Sequence, residues 1–285
     1  MYKLGLIGIS IQKSSAPSLH TMMGNMNNLP VSYDLNEPEE NSKDAFSNTL
    51  DRLIGNGYQG CNVTFPFKQT AIGFVDHVND AVKKVGSTNT LLFKDDQIFA
   101  FNTDYTGFIR GYRYRLGEQS AGKVLLIGAG GVGRAIAFAL FDVGASEVQI
   151  FDVSEQSAKA LADAINEAGF KASTVTKETL VEAAKTCDGL VNCTPVGHYT
   201  TPGNPLPEDG FGGQAWAFDA VYTPMDTEFL KAAHEHGLSI VSGFDLFLYQ
   251  GLDAYEIFTS QEVDEGPVRE AFKEKFGINS ELIDA

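Results

Sequence analysis

A glycine-rich segment in the middle of the chain is suited to binding a phosphate-containing ligand. It consists of Gly128, Ala129, Gly130, Gly131, Val132 and Gly133, which satisfies the spacing G-x-G-x-x-G. A short apolar strand is predicted before it and an alanine-rich helix after it. The first glycine permits a tight turn, the second lets the backbone approach a pyrophosphate, and the third lets the helix pack on the strand. The motif therefore predicts a dinucleotide site, and a glycine-rich turn without a ligand is the alternative.

An acidic residue follows the next predicted strand. Asp152 comes close to the spacing of about 20 residues at which a Rossmann-type site places the acid that binds the ribose hydroxyls. Its neighbours Val153 and Ser154 supply no basic side chain for a 2′-phosphate, so the pattern favours NAD over NADP. Arg134 and Lys159 are the basic residues that leave the choice open. A helix-capping role for Asp152 is compatible with the same assignment.

A second set of polar residues follows a predicted strand in the N-terminal part of the chain. Thr64 ends the strand predicted at 60–64 and Lys68 follows it, so both lie at the carboxyl end where α/β proteins form their sites. Asp104 lies in a similar polar segment, 102–104. A lysine beside an aspartate can relay a proton from a substrate hydroxyl and stabilise the developing alkoxide. Taken separately, each residue also has an ordinary explanation, as a solvated charge or as a turn or cap.

The composition restricts the partners of the protein. The chain has 285 residues, with 21 Lys and Arg against 37 Asp and Glu, for a net charge of −16. Such an acidic surface repels phosphate backbones and anionic lipids, so neither nucleic acid nor a membrane is expected as a partner. No signal peptide and no apolar run of membrane-spanning length is evident, which predicts a cytoplasmic protein.

Cysteine and histidine spacing predicts neither disulfides nor a metal site. Cys61, Cys187 and Cys193 form neither a disulfide framework nor a CxxC pair. His234 and His236 lie two apart on a predicted helix, so they point in different directions and cannot ligate one metal together.

The elements that must position these residues alternate between strands and helices. After a strand at 4–9, Pro17 marks the start of a helix at 17–27 with Ala16 as its N-cap. A hairpin is predicted from 89–93 and 98–102, and a polar connector at 117–122 precedes the glycine-rich segment. The expected fold is α/β, with a substrate lobe and a Rossmann-type lobe that has a doubly wound parallel sheet.

Several separated motifs, in the right order, resemble those of the shikimate dehydrogenase family along the whole chain. The resemblance extends to its NAD-linked quinate/shikimate branch. Besides the glycine-rich segment, the matching residues are Ser14, Pro17, His20, 62–64, Pro66, Lys68, Gly86, Asn89, Thr90, 102–104, Gly107, 192–197, Asp219, Tyr222, Pro224, Thr227, Gly243 and Gln250.

The resemblance implies that two lobes bind the substrate and the cofactor separately. Residues 1–106 would bind substrate and carry the catalytic groups, with the helices of 244–285 returning to them, and residues 107–243 would bind NAD. Lys68 and Asp104 would be the catalytic pair. The implied substrate residues are Ser14, Ala16, Thr64, Asn89, Tyr222 and Gln250. The implied cofactor residues are the glycine-rich segment, Asp152, Thr194, Pro195, Val196 and Gly243.

The sequence departs from the family pattern at three places. NADP-linked members carry a basic stretch after the second Rossmann strand, where this chain has Asp152. The family places two hydroxyl residues against the substrate carboxylate, and Ala16 replaces the second. Leu246 replaces a methionine, and its neighbour Asp245 would add an acid close to the site.

These observations predict an NAD-dependent dehydrogenase that oxidises or reduces a ring alcohol of shikimate, quinate or a close relative. Its partner would be a small carboxylated polyol, and the protein would be a monomer or a homodimer. One alternative is the same chemistry on a different polyol or an aminated ring acid. Another is a non-catalytic sensor of the same fold, which would not need to keep both Lys68 and Asp104.

Overall fold

The computed structural model describes residues 1–283. Across this range the strands are β1 Tyr2–Ile7, β2 Val31–Asn36, β3 Gly60–Val63, β4 His77–Val78, β5 Thr90–Lys94, β6 Gln97–Phe101, β7 Gly122–Ile127, β8 Ala145–Phe151, β9 Ala172–Thr174, β10 Gly189–Asn192, β11 Trp216–Asp219 and β12 Ser239–Ser242. The helices are α1 Ala16–Met26, α2 Lys43–Gly55, α3 Asp80–Val85, α4 Thr103–Leu116, α5 Gly131–Asp142, α6 Glu155–Glu167, α7 Leu180–Lys185, α8 Glu228–Glu235, α9 Gly243–Thr259 and α10 Glu265–Phe276.

The chain divides into two compact units. The first unit comprises Met1–Thr106 and Leu248–Phe276, and the second comprises Gly107–Phe247 together with the described residues 277–283. The sequence assigned all of 244–285 to the first lobe. In the structure, residues 244–247 and 277–283 belong to the second unit instead. Residues 284 and 285 lie outside the described residues.

The segment after α10 joins the second unit because polar contacts hold it there. The carboxylate of Asp226 accepts hydrogen bonds from Ser280 Oγ at 2.5 Å and from the backbone N–H of Glu281 at 2.8 Å. Leu282 and Ile283 then pack against the apolar core of that unit. No helical pattern in the sequence signals these contacts.

The first unit contains a mixed sheet in the order β2-β1-β3-β5-β6-β4. β1 is parallel to β2 and β3, whereas β5 is antiparallel to β3 and β6. The β5–β6 hairpin confirms the one predicted from the sequence, and Asp95 and Asp96 take positive φ angles of 53° and 59° in its turn. The sheet edge formed by the carboxyl ends of β1 and β3 carries the polar residues of the candidate site.

The second unit contains a six-stranded sheet in the order β12-β11-β10-β7-β8-β9, with every neighbouring pair parallel. Its central strand β7 is apolar, and Val124 and the three residues after it are at most 1% exposed. Helices on both faces of a parallel sheet bury such strands completely, which explains the short apolar runs in the sequence. The α/β fold class with a Rossmann-type unit is confirmed.

The N-cap of α1 differs from the expectation. Ser15 is the N-cap and Ala16 is the first helical residue, so Pro17 occupies the second position. The side chain of Ser15 makes no capping hydrogen bond. Proline is tolerated anywhere in the first turn, where its missing N–H would have no helical partner, so it does not fix the cap to one position.

Within residues 1–283, the helices are too short or too polar to cross a lipid bilayer.

Candidate active site

A buried lysine and a buried aspartate meet in the first unit. Lys68 Nζ lies 2.5 Å from Asp104 Oδ2, and the two residues are only 9% and 6% exposed. We call Lys68 and Asp104 the acid–base pair. Removal from water strengthens the attraction between the two charges and makes an unpaired charge costly, so each side chain holds the other in place.

The backbone of the segment before Lys68 is fixed against the sheet. Thr64 N–H donates to the carbonyl of Ile7 at 2.9 Å, and Phe67 N–H donates to the carbonyl of Thr64 at 2.9 Å. The Phe67 ring is 1% exposed and packs against Phe46 at a centroid distance of 5.2 Å. The carbonyl of Lys68 itself accepts a 2.9 Å bond from Thr88 N–H. Lys68 therefore extends from a rigid turn.

Asp104 lies in the first turn of α4, and two asparagines cap that turn. Asn102 Oδ1 accepts from Tyr105 N–H at 3.1 Å, and Asn89 Oδ1 accepts from Thr103 N–H at 2.7 Å. Both caps satisfy helix N–H groups that have no partner within the helix. Asn89, expected as a substrate residue, thus also supports the helix that carries Asp104.

The other expected substrate residues are divided between the units. Ser14, Ala16, Thr64 and Gln250 belong to the first unit, as does the acid–base pair, whereas Tyr222 belongs to the second. Ser14 Oγ accepts a 3.3 Å hydrogen bond from Ala16 N–H at the start of α1. The Tyr222 ring stacks on Phe247 with 4.9 Å between centroids.

The glycine-rich segment of the second unit has the geometry that its spacing predicts. Gly128 has a φ of +102°, which only glycine adopts readily. A Cβ on Gly133 would lie 1.9 Å from the carbonyl oxygen of Gly128, so the third glycine allows α5 to pack closely. A Cβ on Gly130 would meet no atom within 4 Å, so the backbone at the second glycine is open. This arrangement fits a dinucleotide pyrophosphate at the start of α5.

Asp152 directly adjoins that segment. Its Oδ2 accepts from Ala129 N–H at 2.7 Å and its Oδ1 accepts from Ser154 N–H at 2.8 Å. Each carboxylate oxygen can accept more than one hydrogen bond, so ribose hydroxyls can still be bound. Val153, the next residue, is 95% exposed and offers no charge to a phosphate.

The segment Thr194, Pro195 and Val196 is organised by a residue that the sequence did not single out for this role. Asn192 Oδ1 accepts from Thr194 N–H at 2.9 Å and from Thr194 Oγ at 2.7 Å, and Asn192 Nδ2 donates to the carbonyl of Val196 at 3.0 Å. One amide therefore holds both ends of the segment. In the sequence, the signal for this role is the position of Asn192 at the carboxyl end of a predicted parallel strand.

Asp219 supports Asn192 from the neighbouring strand. Its carboxylate accepts from Asn192 Nδ2 at 2.9 Å, from Thr227 Oγ1 at 2.6 Å and from Val221 N–H at 2.9 Å. Burial raises the pKa of Asp219 to about 7, against the opposing effect of these hydrogen bonds. A Cβ on the nearby Gly243 would lie 2.5 Å from the carbonyl oxygen of Ala220, so position 243 also requires glycine.

Comparison with known proteins agrees with this geometry. The family described as "Shikimate dehydrogenase substrate binding domain" matches residues 6–91, and the "Saccharopine dehydrogenase NADP binding domain" family matches residues 124–199. The shikimate dehydrogenase (NADP(+)) of Streptomyces avermitilis is 32% identical over 92% of this chain and 92% of its own length. The quinate/shikimate dehydrogenase (NAD(+)) of Corynebacterium efficiens is 32% identical over 94% of this chain and 96% of its own.

The chain belongs to the shikimate dehydrogenase family. Among solved structures, the quinate dehydrogenase of Corynebacterium glutamicum in complex with NAD has a TM-score of 0.89 and 31% identity, covering 96% of this chain and 99% of that one. The family resemblance deduced from the separated motifs is therefore confirmed.

One departure from the family pattern has a different meaning from the one expected. Asp245 is 0% exposed, and its carboxylate binds Arg115 Nε at 2.8 Å and Nη2 at 3.2 Å. Ser242 Oγ donates to the same carboxylate at 2.9 Å. The acid is buried and neutralised by an arginine 130 residues away in the sequence, so Asp245 adds no unpaired charge.

Proposed function

We propose that this member of the shikimate dehydrogenase family is an NAD-dependent oxidoreductase that acts on a ring alcohol of shikimate, quinate or a close relative. The buried acid–base pair, Lys68 and Asp104, is the observation that carries the proposal. Relatives named as shikimate and quinate/shikimate dehydrogenases match nearly the whole chain, which supports the same reaction class here.

The acid–base pair would handle the proton of the reaction. When a ring alcohol is oxidised to a ketone, the hydroxyl loses a proton and the carbon loses a hydride. A bound nicotinamide cofactor would supply the hydride acceptor. Lys68 in its neutral amine form would take the hydroxyl proton and become an ammonium, and in the reverse direction that ammonium would return a proton to the forming alkoxide. Asp104 would keep the lysine side chain aimed at that oxygen.

The remaining assignments follow the resemblance. Ser14, Thr64, Asn89, Tyr222 and Gln250 would hold the hydroxyls and carboxylate of the substrate. Thr194, Pro195, Val196 and Gly243 would line the cofactor site beside the glycine-rich segment. Ala16 would adjoin the substrate without donating a hydrogen bond.

NAD preference rests on the surroundings of the ribose site. The Asp152 carboxylate would attract ribose hydroxyls and repel a 2′-phosphate. Relatives of similar identity include both NAD-linked and NADP-linked enzymes, so overall similarity does not decide the cofactor.

Ala16 favours a second candidate within the same chemistry. Without the second hydroxyl, a substrate carboxylate loses one hydrogen-bond donor, so a different polyol that does not need this bond becomes the second candidate. An aminated ring acid keeps the carboxylate and would be distinguished only by its amino group. The cytoplasmic location and the monomeric or homodimeric state stay predictions.

An absorbance assay of NADH and NADPH formation tests the proposal. Shikimate, quinate, aminoshikimate and neutral cyclitols are each offered with both cofactors, and Lys68→Ala protein serves as the background. We expect NAD-linked oxidation of at least one ring acid. Binding of NAD with no turnover of any of these compounds would favour the sensor instead.

A further inference from the structure

A chain of buried hydrogen bonds in the first unit leads to Asn89, which caps the helix that carries Asp104. It begins at Tyr33 in β2, whose hydroxyl donates to Asn62 Oδ1 at 2.7 Å. Asn62 Nδ2 donates to Thr90 Oγ1 at 3.0 Å and to the carbonyl of Asn89 at 3.2 Å. Tyr33 and Asn62 are each 8% exposed and Thr90 is 0% exposed. Water therefore has little access to replace any of these bonds.

These hydrogen bonds have a fixed direction. The backbone carbonyl of Asn89 can only accept, so the Asn62 amide must present its nitrogen to that carbonyl and its oxygen to Tyr33. The Thr90 hydroxyl accepts from Asn62 and has a single proton to donate. Asn89 Oδ1 lies 3.0 Å from it, and Thr103 Oγ1 lies 3.2 Å from it.

The orientation of the Asn89 amide follows from its neighbours. Its oxygen accepts from Thr103 N–H at 2.7 Å as well as from the Thr90 hydroxyl, so a flipped amide would place N–H against N–H. Its nitrogen donates to Thr103 Oγ1 at 2.9 Å. The second N–H of that nitrogen has no acceptor within residues 1–283. Asn89 can therefore offer a ligand a donor and not an acceptor.

We propose that Thr90 is a positioning residue for the reaction. Its hydroxyl, oriented by Asn62 and Tyr33, holds the Asn89 amide as a donor toward a substrate oxygen and steadies the first turn of α4, on which Asp104 lies. Alcohol and ketone oxygens both accept hydrogen bonds, so a fixed donor at Asn89 binds the substrate in both of its oxidation states. The role of Thr90 toward substrate rests on the proposed function, whereas its role in ordering the first turn of α4 does not.

Three variants isolate the hydroxyl. Thr90→Val removes it while keeping a β-branched side chain of nearly the same shape, and Thr90→Ser keeps the hydroxyl while removing the methyl group. Thr49→Val is the matched control, because Thr49 is also buried, at 7% exposed, and within residues 1–283 its hydroxyl bonds only the carbonyl of Ala45 in α2.

The kinetic outcome separates positioning from general destabilisation. Loss of one neutral hydrogen bond corresponds to a change of roughly 3- to 10-fold in an equilibrium or rate constant. We expect Thr90→Val to lower kcat/KM for the best ring alcohol by about that factor while KM for NAD stays within about two-fold. Thr90→Ser should recover most of the activity, and Thr49→Val should keep wild-type kinetics.

Hydrogen exchange gives a readout that does not depend on activity. In Thr90→Val, amides of the peptide spanning residues 101–108 should exchange about 3- to 10-fold faster than in wild type, whereas Thr49→Val should leave this peptide unchanged. If the wild-type protein oxidises no ring alcohol, the proposed function fails and the exchange data still test the role of Thr90. Wild-type exchange and wild-type kcat/KM in Thr90→Val would overturn the inference, as would equal losses in Thr49→Val.

Discussion

The two units build their candidate sites from different parts of the chain. In the first unit the groups are buried side chains, and Lys68, Asp104 and Asn89 are each held by another side chain or a cap. In the second unit the site consists mainly of the backbone of the glycine-rich segment. Gly128 permits its turn, and Gly133 permits the close packing of α5 against it. Substitution of Lys68 or Asp104 should therefore affect the chemistry, whereas substitution in the glycine-rich segment or at Asp152 should affect cofactor binding.

Each unit contains a buried Asp that is paired with a cation, and the type of cation distinguishes the roles of the two pairs. Arginine keeps its proton at any relevant pH and binds the Asp245 carboxylate through two nitrogens, which suits Arg115 to a structural role. Lysine makes a single contact with Asp104 and can exchange a proton. Burial and charge alone do not identify a catalytic pair.

The largest expected effect is on turnover in the first unit. Lys68→Ala should lower kcat by about 10²- to 10⁴-fold, the range for loss of a general acid–base group, while NAD binding measured by fluorescence titration stays intact. Lys83→Ala is the control, because that lysine is 62% exposed in a surface pair with Asp80. Near-wild-type turnover in folded Lys68→Ala protein would contradict the catalytic assignment.

In the second unit, the corresponding loss should appear in stability. Asp245→Asn removes the buried carboxylate that neutralises Arg115, and breaking a buried ion pair costs about 3 to 5 kcal/mol in the free energy of unfolding. Urea denaturation measures this loss. Asp163→Asn, which breaks an exposed pair with Lys159, should cost less than about 1 kcal/mol. Equal urea midpoints for the two variants would show that the buried pair contributes no more to stability than the exposed pair.

Asp152 should control cofactor choice rather than chemistry. Asp152→Ala removes charged hydrogen bonds to the ribose, so KM for NAD should rise about 10-fold or more, and the preference for NAD over NADP in kcat/KM should narrow. Initial rates with both cofactors decide this. Wild-type protein that prefers NADP would refute the assignment of Asp152.

The smallest effect is expected at Ala16. Ala16→Ser should lower KM for shikimate or quinate several-fold, up to about 10-fold, because it adds one donor to a helix start that already attracts a carboxylate. Ala16→Cys is the control, with similar size and a weak donor. No gain of cap stability is expected, since Ser15 occupies the N-cap. If Ala16→Ser leaves every carboxylated ring acid unchanged, a different substrate becomes the better proposal.

The sequence predicts most of the fold because its signals are local. Apolar runs such as β7, the turn between β5 and β6, and the glycine spacing each depend on neighbouring residues. The polar segments around Lys68 and Asp104 suggested a proton relay, the family resemblance made the two residues a pair, and the structure places their side chains in contact.

Signals that depend on distant partners could not be predicted. Asp245 resembles an exposed acid until Arg115 is brought beside it by folding. The role of Thr90 requires the meeting of two strands with the start of α4, and residues 277–283 join the second unit through Asp226. The N-cap of α1 was misplaced by one residue because Pro17 is compatible with either position.

The stack of His20 on Tyr33, at the origin of the buried hydrogen-bond chain, bears on how enzyme kinetics are to be interpreted. The rings lie 4.7 Å apart at an angle of 13°, and burial lowers the pKa of His20 to about 3. The imidazole is therefore uncharged throughout the pH range in which dehydrogenases are assayed. An ionisation near neutrality in a plot of log kcat against pH cannot be ascribed to His20, although such an ionisation is often assigned to a histidine.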